Sequence, residues 1–323
     1  MASGRASQRV RAPARGGDDL KVGEAQPGIF AQGTRSHYHL EFTVRDDAPT
    51  SDVRAAISRL GEPSVTVGGF NLVLGLGPAL WDRLEPATPL AEFHDFTPIA
   101  GADQHDVPAT QHDLWVWMHG TGPDLALDAA RAVTDCLSPV AVLALEQPGF
   151  VYRDSRDLTG FIDGTANPPL LHAPGVVVVP DDRPGGGGAF ALTMRWVHNL
   201  EAFGRLSVED QERVIGRTKL DSVELDDKSK PATAHIARVT IEEGGEELEL
   251  YRRSVPYGTV AEHGLFFVAF AADPSRFDKM LARMFGATDD RQHDRVTDFT
   301  RPVSAAYYFA PSLETLSAIA DAT

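Results

Sequence analysis

Apolar positions recur along the chain with two periods, one of two residues and one near four. From His37 to Val44 the run His37-Tyr38-His39-Leu40-Glu41-Phe42-Thr43-Val44 alternates around a half-buried face, as a strand does. Asn71-Leu72-Val73-Leu74-Gly75-Leu76 gives another strand, and between the two Thr50 and Ser51 offer caps for a helix through Val53, Ile57 and Leu60. His112 to Met118 then reads as a strand, Pro123 to Cys136 as an amphipathic helix, and Val140 to Leu145 as a strand. The order of elements is β-α-β-β-α-β.

The second half repeats that pattern, with strands near Phe190 to Val197, His235 to Thr240, Leu248 to Arg252, Leu265 to Phe270 and Ala305 to Phe309, and helices near Val208 to Ile215 and Ser275 to Phe285. The expectation is an α+β chain with a duplicated ferredoxin-like fold, antiparallel sheets with helices packed on their faces. The duplication rests on pattern, with no residue-level repeat. Between the halves lie Pro168-Pro169, Pro174, Pro180-Asp181-Asp182-Arg183-Pro184 and Gly185 to Gly188, breakers that continue no regular element. The expected division is an arm at 1–25, a first ferredoxin-like domain at 26–168, a linker at 169–188 and a second at 189–323. The four glycines lack the Lys-Ser/Thr pair of a phosphate cradle and read as a flexible connector.

Composition narrows the function classes. At 323 residues, 42% hydrophobic and 24% charged, the chain can bury a sizeable core. A net charge of -16 and a pI near 5.0 argue against nucleic acid or an anionic membrane as partner, since either would repel it at long range. Cys136 is the single cysteine, which excludes intramolecular disulfides and thiolate clusters, and it reads as an inert buried thiol. Arg5, Arg9, Arg11 and Arg15 sit among small residues without the apolar core of a secretory signal, so a disordered arm and a cytoplasmic location are expected. No apolar run approaches the roughly 18 residues needed to span a bilayer.

Three segments carry chemistry. Gly160-Phe161-Ile162-Asp163-Gly164-Thr165, followed by Ala166-Asn167-Pro168-Pro169, pins one carboxylate between glycines on a short loop, where it faces a ligand and not a core. Pro231-Ala232-Thr233-Ala234-His235 supplies an imidazole, and Tyr251-Arg252-Arg253-Ser254 supplies, 252 − 235 = 17 positions on, a permanently charged guanidinium at the end of a strand. A carboxylate, an imidazole and an arginine suit peroxide chemistry on haem, with the imidazole on the iron and the other two acting on bound peroxide. Alternation on the strand turns Arg253 to the opposite face, as a structural arginine.

These segments resemble the dye-decolourising peroxidase family, in its bacterial subgroup of short, cytoplasmic members. Gly160-Phe161-Ile162-Asp163-Gly164 is similar to the family's glycine-x-x-aspartate-glycine signature, extended by Thr165, Asn167 and Pro168, and Asp294 to Val303 followed by Tyr307-Tyr308-Phe309 is similar to its closing strand region. The likeness runs from about His37 to Pro311. It implies haem b held mainly by the second half, with His235 as axial ligand of the iron and Asp163, Arg252 and Ser254 as catalytic residues. Ser254 stands where some relatives have asparagine, and a hydroxyl offers fewer fixed donors than an amide, which puts turnover of bulky dyes in question. Asp294 is expected to hold the second nitrogen of His235, with Asp298 as its competitor. Arg217 is expected on a haem propionate, and Gly164, Thr165 and Phe266 at the cofactor, Phe266 as one of an alternating set on Leu265 to Phe270 whose register the sequence leaves open. Arg252 beside Asp163 should lower the pKa of that acid and give an acidic optimum.

The activity implied is oxidation of one-electron donors such as phenols, dyes or porphyrinogens by hydrogen peroxide through a ferryl intermediate. The rival is a protein of haem carriage, storage or iron release with incidental peroxidase activity; a haem-free binding module is the third reading. The resemblance also implies a homo-oligomer, and the short tail Leu316 to Thr323 argues against packing into a protein nanocompartment. Other signals carry blander meanings. His112 and His119 lie seven apart on a strand and read as packing, as do Trp196, Tyr251 and Tyr257, while Glu242-Glu243-Gly244-Gly245-Glu246-Glu247 reads as a solvated hairpin turn.

Overall fold

The computed structural model describes residues 24–60, 70–85 and 87–322. The arm expected at 1–25 therefore lies outside the described residues except for Glu24 and Ala25. The first half builds β1 (Ser36–Val44), α1 (Thr50–Arg59), β2 (Asn71–Leu76), α2 (Pro78–Leu84), β3 (Leu114–Gly120), α3 (Pro123–Leu137) and β4 (Ala141–Phe150). Pro123 begins α3, where a missing N–H costs nothing, and Ala126, Ala130, Val133 and Leu137 form its one buried stripe. After α4 (Ala173–Val177) come β5 (Ala189–His198), α5 (Leu200–Gly204), α6 (Val208–Ile215), α7 (His235–Val239), β6 (Glu242–Glu243), β7 (Glu246–Glu247), β8 (Tyr251–Arg252), β9 (Val255–Gly258), β10 (His263–Ala271), α8 (Ser275–Met284), β11 (Thr300–Ala310) and α9 (Leu313–Asp321).

The strand order is β4-β1-β3-β2-β11-β5-β10-β8, with β9 also on β10. Every pairing in this sheet is antiparallel. Each half runs fourth, first, third, second, so the duplicated ferredoxin-like plan is built twice and joined edge to edge into one nine-stranded sheet among the described residues. The join is sparse: Phe309 of β11 meets Leu76 of β2 as their one registered pair. Side-chain amides complete it. Gln111 donates to Tyr307 O at 2.7 Å and accepts from Tyr307 N at 2.8 Å, and Gln26 does the same for Leu74 while also reaching Pro311 O at 3.0 Å.

Alternation assigns the faces. Leu114, Val116 and Met118 of β3 join the core under α1 and α3, whereas Trp115 and Trp117 join a second core with Phe266, Val268 and Phe270 of β10 and Tyr308 of β11. In that second core His39 of β1 stacks on Phe266 at 4.1 Å. No helix among the described residues is long and apolar enough to cross a membrane.

Two expected strands differ. His235 to Thr240 is the helix α7, because Ala234 caps it in extended conformation and Arg283 of α8 takes the carbonyls of Ala237 and Thr240 at 2.9 Å each. A period of two in His235-Ile236-Ala237-Arg238 was too short to separate from one helical turn. Leu248 to Arg252 shrinks to Tyr251–Arg252 of β8. The acidic run does form a hairpin, with β6 paired to β7.

Candidate active site

The loop before Asp163 is built by its own main chain. Gly160 N donates to Asp157 O, Asp157 N to Phe161 O and Asp163 N to Ser155 O, each at 2.9 Å, and Arg156 ties Gly160 O at 2.9 Å to Lys219 O at 2.8 Å. Gly160 and Gly164 hold φ of 91° and 75°, a region where a side chain would strain the backbone. Gly164 N then donates to Asp163 Oδ1 at 2.7 Å.

Arg252 lies on β8, whose other edge is closed by a side chain. Asn167 accepts from Arg252 N at 2.9 Å and Nε at 3.3 Å, and donates to Arg252 O at 2.8 Å. One amide thus fixes both backbone and guanidinium. Asn167 carries no role in the sequence reading, where it appears only as an extension of the glycine signature. Its clue was its place in a loop that no strand could pair with. Arg253 does turn to the opposite face, donating to Ile29 O and Ala31 O at 2.7 Å each and lying 5.2 Å over Trp117.

His235 opens α7. Its Nδ1 meets Asp294 Oδ2 at 2.6 Å, and Asp294 is fully buried, with Oδ1 accepting from Val296 N at 2.9 Å at the start of the turn Arg295–Asp298. Of the two acids weighed for this role the structure chooses Asp294; Asp298 instead approaches His105 and His293. Gly216 ends α6 at φ 91° and lies so close to Ile236 that a Cβ would sit 2.3 Å from Cγ2, which presses α6 and Arg217 against α7.

These residues converge. An apolar cavity of about 180 Å³ is lined by His235, Asp163, Arg252 and Ser254 with Leu265, Phe267, Met280 and Met284, and an adjoining one of about 110 Å³ shares His235, Asp163 and Arg252 and adds Gly164, Thr165 and Arg217. Arg217 donates to Ser222 O at 2.8 Å, and Thr165 meets Ser222 Oγ at 3.1 Å. A larger cavity, about 590 Å³, reaches Asp163, Arg252 and Ser254 but not His235. Phe266 is a correction. It is fully buried in the second core on His39, and the alternation of β10 gives the cavity to Leu265 and Phe267 instead. The sequence also gave no reason to single out Asp157 and His198, paired at 3.0 Å and facing the cavity.

Electrostatics departs from expectation at one position. Burial pushes the Asp163 carboxyl up, and Arg252 only partly offsets this, so its pKa lies above that of an ordinary aspartate and not below it. Burial would also raise Asp157, but bonds from His198 and Thr159 hold it below the usual range.

Residues 26–151 match the family model described as Dyp-type peroxidase, N-terminal, and residues 154–315 the one described as Dyp-type peroxidase, C-terminal. The chain belongs to the Dyp-type peroxidase family. Membership makes it a haem-dependent peroxidase. It is 36% identical over 298 residues to a dye-decolorizing peroxidase of Rhodococcus erythropolis, covering 90% of this chain and 87% of that one. Its fold superposes on DyPB from Rhodococcus jostii RHA1 with a TM-score of 0.85 at 33% identity, over 90% of this chain and 97% of the other. Variants of that protein have been solved in complex with haem. The encapsulated DyP-type peroxidase from Mycobacterium smegmatis gives a TM-score of 0.83 at 32% identity, over 91% and 97%.

Proposed function

We propose that this peroxidase holds haem b through His235 and activates hydrogen peroxide with Asp163, Arg252 and Ser254. The donor set fits the group: an imidazole whose Nδ1 is committed to a buried carboxylate keeps its lone pair on Nε2, and the cavity it lines has apolar walls from Leu265, Phe267 and Met280. Arg217, on the adjoining cavity with Gly164 and Thr165, is the cation for a propionate.

Bound haem supplies the redox chemistry, taking two oxidising equivalents from peroxide and returning them singly to donors such as phenols, dyes or porphyrinogens. The protein supplies the proton and the charge. Peroxide entering from the 590 Å³ cavity meets Asp163 and Arg252 first, since both line it and His235 does not. As a carboxylate, Asp163 accepts a proton from one peroxide oxygen and returns it to the leaving oxygen. Arg252 stays charged and stabilises the negative charge that develops meanwhile, held to its place by Asn167. Ser254 Oγ accepts from Val268 N at 3.2 Å, which leaves its proton for a water or for peroxide.

The observation that carries this reading is the clamp of Asn167 on Arg252 beside Asp163, which a haem carrier would not need. In rapid mixing of the haem-loaded protein with hydrogen peroxide, Asp163→Ala or Arg252→Leu should slow the Soret change at least about tenfold, or 1.4 kcal/mol. Unchanged rates in both, with haem fully bound, would refute it. The assembly we infer is a homo-oligomer, supported by half-exposed Leu125 and Leu127 on α3 and Val142 on β4. The compartment we infer is the cytoplasm, supported by a lone Cys136 whose thiol donates to Ala56 O at 3.4 Å.

A further inference from the structure

Away from the haem cavity, His105, His293 and Asp298 bring three ligand atoms within 4.8 Å of one another. Asp298 Oδ1 lies 3.4 Å from His105 Nε2 and 3.1 Å from His293 Nε2. A tetrahedral ion with bonds near 2.05 Å spaces its donors about 3.3 Å apart, so both edges already have the span that a small divalent cation requires. The other nitrogen of His293 faces Asp103 Oδ2 at 3.2 Å. A carboxylate on Nδ1 fixes that ring with its lone pair on Nε2, the arrangement that accompanies metal-bound histidine.

We propose that His105, His293 and Asp298 form a binding site for a divalent transition cation of the zinc class, with Asp103 as positioning residue. Two imidazoles and one carboxylate select borderline ions over magnesium or calcium, which prefer all-oxygen sets. The side chains of the three ligands are 22%, 20% and 40% exposed, which leaves a path for the ion and room for a water as fourth ligand. The frame is built before any ion arrives. Ile99 bridges Val107 around the loop that carries His105, Ala102 N donates to Phe285 O at 2.8 Å, and Phe285 bridges His293.

The position gives the site a consequence. Asp298 closes the turn that Asp294 opens, so an ion here would pin a loop of the first half to the turn whose first acid holds His235. The test is calorimetric titration of the haem-loaded full chain, stripped with a chelator and desalted, with zinc chloride. One saturable site per chain is expected, absent in His105→Ala and in Asp298→Asn, and weakened about tenfold in Asp103→Ala. Zinc should also raise the Tm of the wild type and not that of His105→Ala, with the Soret band and circular dichroism reporting that each variant folds. Should His105→Ala fail to fold, His293→Gln takes its place. No saturable uptake by the wild type, or uptake undiminished in folded ligand variants, overturns the assignment and leaves an ordinary His-Asp ion pair.

Discussion

Replacing Asp294 by asparagine tests what one negative charge does to His235, the imidazole we propose for the haem iron. Asp294 is fully buried; it takes His235 Nδ1 at 2.6 Å, caps the following turn through Val296 N at 2.9 Å, and donates its own N–H to Met284 O at 2.7 Å. Asparagine keeps the shape but only one acceptor oxygen, so with that oxygen on His235 Nδ1 the bond persists as a neutral one while Val296 N loses its cap. A hydrogen bond to a charged group contributes about 1.5–3 kcal/mol and a neutral one about 0.5–1.5, a difference of about 1–1.5 kcal/mol. That difference falls on the more positive oxidation state, which a charged partner stabilises most. At about 59 mV per tenfold for one electron, the midpoint potential of the bound haem should rise by about 45–65 mV. Spectroelectrochemical titration measures it, with Asp298→Asn as a control that should leave the potential in place, since Asp298 bonds other histidines. A potential unmoved by Asp294→Asn while the Soret band persists would refute the pairing as a tuning contact.

Three further outcomes follow from burial and charge. Because Asp163 is raised above an ordinary aspartate and, as the base we propose, must be ionised to take a proton, the rate of reaction with peroxide should fall as pH drops, with a midpoint above that of an ordinary aspartate. Arg252→Leu should move that limb to higher pH by removing the charge that lowers Asp163, and Asp163→Asn should abolish it; a limb at the same pH in all three proteins sinks the assignment. Glu41, fully buried and bonded to Thr193 at 3.0 Å, is pushed up from 4.5 to about 7, so the folded state holds its proton more tightly than the unfolded one. Stability should then decline as pH rises from 4.5 to about 7, by about 3 kcal/mol, and Glu41→Gln should remove that decline in thermal melts at both ends of the window. Phe266→Ala should cost about 3–5 kcal/mol of stability with little change in haem retention, and Phe267→Ala should do the opposite; equal haem loss from both would place Phe266 back at the cofactor.

Much of this molecule was legible along the chain. β2 matches Asn71 to Leu76 and α6 matches Val208 to Ile215 at both ends, because an apolar run stopped by Gly77-Pro78 in one case and a Ser207 cap with Gly216 stop in the other mark them locally. The alignment of His235, Asp163 and Arg252 on one cavity was also foreseen, through the family likeness of their segments. What escaped was set by contacts distant in sequence. The α7 turn depends on Arg283 forty-odd positions away, the face of Phe266 on a register that alternation alone leaves open, and the free edge of β8 on an amide from Asn167. The sign of the shift at Asp163 was missed for the same reason. A neighbouring charge can be inferred from a motif, but the depth of surrounding protein cannot.

The join between β2 and β11 has an evolutionary implication. A ladder of peptide groups is indifferent to which side chains it carries, so point mutation can hardly loosen it. Here the two copies of the plan are stitched by Gln26 and Gln111, whose amides imitate a missing neighbour strand. Their bonds are encoded residue by residue. Selection could therefore tune how the duplicates sit against each other by exchanging two codons, without touching the strands that frame the haem chamber.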